Sequence, residues 1–152
     1  MYLWRTNQHI LIRKIEHLGI AVKSLKNSDA LISKLLGTSP YKQEGVESEG
    51  VFTSFFKLGE TKIELLEATN PESAIAKFIE KRGEGIHHIA LDVVDIEAEL
   101  ASLKSLGFEL IHEHPKPGAD GKKIAFLHPR STHGILVELC EDAWEAPGPC
   151  LT

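Results

Sequence analysis

The chain has 152 residues, 42% of them hydrophobic, enough for one ordinary core or for two small modules packed together. A formal net charge of -5 argues against a general nucleic-acid binder, and no apolar run approaches the roughly 18 residues needed to span a bilayer. The two cysteines, Cys140 and Cys150, are too few for a disulfide framework and point to a reducing, cytosolic setting.

Residues 1–13 lack a signal-peptide layout, with Arg5 and Arg13 interrupting them, and read as a leader and a candidate for disorder. Residues 15–22 form a strand carrying His17, and residues 23–36 a helix, with Leu25, Leu31, Leu35 and Leu36 near helical spacing and Gly37 as its stop. The polar stretch 38–49 reads as a weak strand and a loop. Residues 51–58, rich in phenylalanine, and 61–67 are strands either side of a Gly59-Glu60 turn. Residues 69–82 carry a linker helix, which Asn70 can cap; Pro71 suits its first turn, and Ile75, Phe78 and Ile79 form its buried stripe.

The pattern then starts again. Residues 85–94 form a strand with the pair His87-His88, and residues 95–106 a helix with Ile96, Leu100 and Leu103 on one face and Gly107 as its stop. Strands are expected at 108–112, 123–127 and 134–139, with a loop at 115–121. His17 precedes Gly37 by 20 residues, and His87 precedes Gly107 by 20 as well. On that alignment Glu64, in Lys62-Ile63-Glu64-Leu65-Leu66, falls on Glu138, in Leu136-Val137-Glu138-Leu139-Cys140. This is an internal duplication. It predicts an α+β fold of two βαβββ modules: module one 14–68, a linker helix 69–83 and module two 84–142 in a single domain, followed by a tail 143–152.

The duplication also selects chemistry. Each module offers one imidazole from its first strand and one carboxylate from its last, so the expected metal ligands are His17, Glu64, His87 and Glu138. Strand alternation sets His87, Ile89 and Leu91 on one face and His88, Ala90 and Asp92 on the other, and the 20-residue alignment chooses His87 as the inner histidine. Two histidines and two glutamates suit one divalent ion such as Co, Zn, Ni, Mn or Fe. Glu64 and Glu138 each sit inside an apolar run, and burying two unpaired carboxylates is costly unless a metal satisfies them. His112, His114, His128 and His133 lie outside the duplicated positions and read as surface or loop residues; Cys140 reads as a packed thiol.

Paired modules with this His, Glu, His, Glu pattern resemble the vicinal oxygen chelate superfamily, which includes glyoxalase I, extradiol dioxygenases, fosfomycin-resistance proteins and methylmalonyl-CoA epimerase. The likeness spans residues 14–141. The segments HLGIAV, GETKIELLEA, SAIAKFIEKRGEGIHHIALDV, FLHPRSTHG and LVEL are together most similar to bacterial methylmalonyl-CoA epimerases. The resemblance implies a half-barrel cleft with one divalent ion per chain, a homodimer and an acyl-CoA thioester substrate. It implies epimerisation through a metal-stabilised enolate, with Glu138 as one acid/base. A second acid/base is harder to place, because some relatives carry a glutamate after the Gly-Val pair where this chain has Thr53; Glu47 and Glu49 are nearby. Lys116, Lys122, Lys123 and Arg130 are candidates for the phosphates of coenzyme A. Two other readings share the fold: a glyoxalase I-type lyase acting on a methylglyoxal–glutathione hemithioacetal, and a non-catalytic binding protein, a class that normally lacks the ligands.

Overall fold

The computed structural model describes residues 12–142; the proposed tail, and all but the last two residues of the proposed leader, lie outside them. The first half runs β1 (Ile12–Ala21), α1 (Leu25–Leu36), β2 (Lys42–Val46), β3 (Val51–Leu58) and β4 (Thr61–Ala68). After α2 (Ala74–Arg82), the second half repeats the order: β5 (Gly85–Val93), α3 (Ile96–Ser105), β6 (Lys116–Pro117), β7 (Lys122–Leu127) and β8 (Val137–Asp142). The eight strands make one curled half-barrel sheet in the order β2-β3-β4-β1-β5-β8-β7-β6. Its centre is the antiparallel seam β1–β5, flanked by the parallel pairs β1–β4 and β5–β8. Among the described residues no helix is long and apolar enough to cross a membrane.

Strand alternation assigns the two faces. Leu65 of β4 packs with Val22, Leu25 and Phe56 beneath α1, and Leu139 of β8 packs with Ile96, Leu100 and Leu103 of α3. Each such buried aliphatic side chain contributes about 1.5–3 kcal/mol. Their neighbours Glu64 and Glu138 therefore point to the opposite, concave face. There Leu66 meets Ile75 of α2, and Cys140 packs with Ala90 and Ile124.

Local chemistry sets the helix starts. Ser24, Ser73 and Asp95 accept hydrogen bonds from the amides of Asn27, Ala76 and Ala98. The linker helix thus begins at Ser73, not at Asn70. Asn70 instead accepts from the Glu72 amide in a tight turn. The strand expected at 108–112 is reduced to a single bridge between Leu110 and Leu127. The short β6 pairs with β7 from within the expected loop.

Candidate metal and acid–base site

Four donors converge on the concave face beside the seam. His17 Nε2 lies 3.0 Å from Glu64 Oε2, 3.7 Å from Glu138 Oε1 and 3.1 Å from His88 Nε2. His88 Nε2 lies 3.4 Å from Glu138 Oε2 and 3.8 Å from Glu64 Oε2. All four residues are at most 6% exposed, which leaves two carboxylates and two imidazoles with little water to solvate them.

The inner histidine of β5 is His88, not His87. His87 is half-buried beside it, with its Nδ1 2.9 Å from His88 Nδ1 and its ring edge-on to Phe78. The 20-residue alignment fails because the two helices differ in length, 12 residues in α1 against 10 in α3. Gly37 caps α1 directly, whereas α3 is capped by Leu106 and Gly107 comes one residue later. Alignment on the N-caps gives the correct register, since Ser24 and Asp95 stand seven residues after His17 and His88. The pairing agrees: Gly19, two residues past His17, faces Glu64, and Ala90, two residues past His88, faces Glu138.

Small residues make room for the two rings. His17 pairs across the seam with Ala90, and His88 with Gly19. A Cβ on Gly19 would sit 2.1 Å from His88 Cε1, so glycine is required there by the imidazole. A register shift between Ile15 and His17 marks a β-bulge at Glu16, which turns two consecutive side chains, Glu16 and His17, into the interior. Glu16 Oε1 lies 3.5 Å from His17 Nδ1 and 3.1 Å from Lys62 Nζ. Lys62 in turn meets Asp120 at 3.0 Å, and Asp120 also meets Lys42 at 2.8 Å. The turn carrying Asp120 from module two is thereby fixed to module one. Sequence reasoning missed Glu16, because strict alternation sends it away from His17, and missed Gly19, although the glycine interrupts an otherwise apolar strand.

The electrostatics follow from this packing. Burial pushes the Glu138 carboxyl up to about 8, with Glu64, Glu49 and Glu16 adding to the push and His17 opposing it. Burial works against charge on His17, yet Glu16, Glu64 and Glu138 hold its pKa up at about 10. Burial, then the neighbouring imidazoles His17 and His87, presses His88 well below the ordinary histidine value. Burial alone brings His87 to about 4. Glu16 is held at about 2, because His17, Lys62 and Lys122 outweigh its burial.

These residues fit a divalent cation. Two imidazole Nε2 atoms 3.1 Å apart, each beside two carboxylate oxygens, match donors arranged about 2.0–2.2 Å from a shared centre. His17, His88 and Glu138 also bring one ligand atom each within 4.8 Å of one another. Cys140 Sγ stands near Glu16 and His17, but it donates to the Leu91 carbonyl at 3.5 Å and burial raises its pKa, as expected of a packed thiol. His112 and His128 are engaged by the backbone amides of Phe126 and Arg130.

Three of the donors, His17, Glu64 and Glu138, together with His87, line a cavity with apolar walls that include Val46, Phe55, Leu66, Ile75 and Phe126. Glu49, in the short turn Glu47–Glu49, also lines it, whereas Glu47 is exposed outside. Thr53 is fully buried and its hydroxyl donates to the Glu44 carbonyl at 3.2 Å. Of the four expected phosphate contacts, Lys116 meets Glu49, Lys122 meets Asp142, and Arg130 meets Glu109 at 3.4 Å. Those three cations are already matched by carboxylates.

Residues 16–126 match the glyoxalase/bleomycin resistance protein/dioxygenase superfamily. The chain belongs to that superfamily. Within it, the chain is 42% identical over 130 residues to the uncharacterised protein YqjC of Bacillus subtilis, covering 86% of this chain and 93% of that one. It is 40% identical over 131 residues to the mitochondrial methylmalonyl-CoA epimerase of Dictyostelium discoideum, covering 86% of this chain and 79% of the relative. Among solved superfamily structures, a Streptomyces coelicolor methylmalonyl-CoA epimerase variant in complex with 2-nitronate-propionyl-CoA superposes with a TM-score of 0.84. It shares 34% identity, and the match covers 90% of this chain and 99% of that one.

Proposed function

We propose that the protein interconverts the (R) and (S) forms of methylmalonyl-CoA, removing the α proton from one face and returning a proton to the other. The observation that carries this reading is the position of Glu138: a buried carboxyl 3.7 Å from His17 and 3.4 Å from His88, on the wall of an apolar cavity, in a chain similar to known epimerases. His17, His88, Glu64 and Glu138 would hold one divalent ion of the Co, Zn, Ni, Mn or Fe class. When bound, that ion supplies Lewis-acid stabilisation of the negative charge that develops on the thioester oxygen. His87, proposed from the sequence as a ligand, is assigned instead to support His88 through their 2.9 Å contact.

Glu138 takes or returns the proton on one face. Glu49 is our candidate for the other, because it comes from module one, lines the same cavity and is near enough to raise the Glu138 carboxyl. Thr53 is an alcohol already donating to a carbonyl and is a poor substitute for a carboxylate. The apolar walls keep bulk water from quenching the carbanion-like carbon. The assembly we propose is a homodimer, consistent with Leu31 and Leu35 standing 65% and 76% exposed on α1.

Deuterium wash-in at the α carbon of methylmalonyl-CoA tests the function, run beside the methylglyoxal–glutathione hemithioacetal. Exchange with inversion is expected for the first substrate only. Turnover of the hemithioacetal alone would replace this reading with a lyase.

A further inference from the structure

Among the described residues, β2 pairs along its length with β3 and β6 with β7, so these two strands are the edges of the half-barrel sheet. Side chains join the two edges where no strand ladder does. After β6, the turn Ala119–Gly121 carries Asp120 in the left-handed region at φ 58, which Asp tolerates better than most residues. The Asp120 amide donates to the Glu44 carboxylate of β2. Its own carboxylate accepts from Lys42 of β2 at 2.8 Å and from Lys62 of β4 at 3.0 Å. At the other end of the same segment, Lys116 meets Glu49 in the turn that follows β2. On its own side the segment is held by backbone and packing. The Gly118 amide donates to the Lys122 carbonyl at 2.9 Å, and a Cβ on Gly118 would lie 2.7 Å from Ile124 of β7. Glu49, Ala119 and Asp120 all line the cavity that Glu138 lines.

We propose that residues 116–121 form a clasp that closes the half-barrel edge over the cavity, with Lys116 and Asp120 as positioning residues that hold Glu49 in place as the partner of Glu138. The proposal rests on the epimerase reading above and adds what keeps the second acid/base at its post. Glu49 belongs to a three-residue turn, and its Oε1 is cut off from water with the Lys116 ammonium as its charged neighbour. A carboxylate shielded in this way is costly without an opposite charge, and that charge comes from the other module. Asp120 anchors the segment that carries Lys116 by gripping Lys42 and Lys62 together. The ion pairs are half-buried, and single pairs of this kind contribute little. Such a contact can open to admit a bulky thioester and close again around it, excluding water. Inversion needs a proton donor waiting on the second face when the carbanion-like carbon forms, so the placement of Glu49 decides whether the proton returns to that face.

Asp120→Asn, Lys116→Gln and the double variant test this at saturating metal, with inversion and deuterium wash-in followed from each epimer of methylmalonyl-CoA. From the epimer that Glu138 deprotonates, wash-in should persist while inversion falls by about tenfold, the change expected for two or three half-buried ion pairs together. A merely structural loss would lower both by the same factor. Lys42→Arg, which keeps the charge, should stay near the wild-type ratio of inversion to wash-in. So should Lys104→Gln, which removes an exposed pair with Glu113 on another part of the surface. Hydrogen exchange, which needs no turnover, should show the amides of 116–121 exchanging about tenfold faster in Asp120→Asn than in the wild type, with those of 124–127 unchanged. An unchanged ratio in the double variant, an equal fall of inversion and wash-in, or unchanged exchange over 116–121 overturns the proposal. Should the exchange difference be present while the wild type fails to turn over methylmalonyl-CoA, the epimerase reading falls with the role of Glu49, and the closure stands.

Discussion

The two modules contribute the same donor types to the site but surround them differently. In module one, His17 is backed by charge: Glu16 at 3.5 Å, then Lys62, then Asp120. In module two, His88 is backed by rings, His87 and Phe126, with ring centroids 5.2 and 5.6 Å from its own, and Glu138 shares its face with Cys140 and Ala90. The charged surroundings hold His17 up at about 10 and Glu16 down at about 2; the apolar surroundings push Glu138 up to about 8. Duplication therefore provides a symmetric set of candidate ligands, and the surroundings of each half differ. On the proposed function, module one would fix charge in place and module two would let a proton move.

The sharpest way to break that comparison is at the histidines themselves. His88→Ala should fail to retain a divalent ion after dialysis, as measured by elemental analysis. His87→Ala should keep the ion with affinity reduced about 10- to 100-fold, the usual effect of losing a group that orients a ligand. The reverse pattern would restore His87 as the ligand. Gly19→Ala comes next, because its Cβ would drive the His88 ring aside while leaving every donor present. Overpacking of this kind costs about 1–3 kcal/mol. Thermal melts should show that loss with a fall in metal affinity, and normal metal binding in Gly19→Ala would mean that the ring need not lie against this strand.

Glu16→Gln sharpens the contrast from the other side. It removes the charge behind His17 and leaves the donors intact, so metal affinity should fall about 10- to 100-fold. A further contrast lies in the metal-free protein. The Glu138 pKa, raised to about 8 in the fold, lets the native state keep a proton that the unfolded chain loses above about 4.5. Stability from this group is complete below 4.5 and lost as pH rises through 8. His17, raised to about 10, acts in the same direction above 6.5. Melting temperature without metal should drift downward from pH 7 to pH 9, above the range in which the depressed His87 and His88 gain stability as pH rises. Saturating metal should remove the drift, and an upward trend without metal would contradict the assignment of Glu138.

Much of this was legible in the sequence, for definable reasons. The repeat, the inward carboxylates Glu64 and Glu138 and the first-strand His17 follow from side-chain alternation and matching strand order, which survive small changes in length. The register of His87-His88 did not, because it was carried across a helix whose length differs between the modules; adjacent histidines on a strand turn a one-residue slip into the wrong face. Glu16 was hidden by a bulge, which breaks alternation without leaving a compositional mark. The strand expected at 108–112 has the right residues and follows the end of β7 through the Leu110–Leu127 bridge and the Ile111 amide to the Phe126 carbonyl, but the edge is continued along β7 by Lys116–Pro117. Glu49 falls in the polar stretch 38–49, whose composition does not distinguish a cavity-lining carboxylate from an exposed one such as Glu47.

The division of labour has one direct test: Glu138→Gln and Glu64→Gln compared at saturating metal, with deuterium wash-in and inversion both followed on a single epimer of methylmalonyl-CoA. Both variants should bind metal more weakly. On saturation Glu64→Gln should recover most of its turnover, whereas Glu138→Gln should remain about 10²- to 10⁴-fold slow, because an amide cannot carry the proton. Equal recovery in the two variants would contradict the account, and would reduce Glu138 to a ligand like its counterpart in module one.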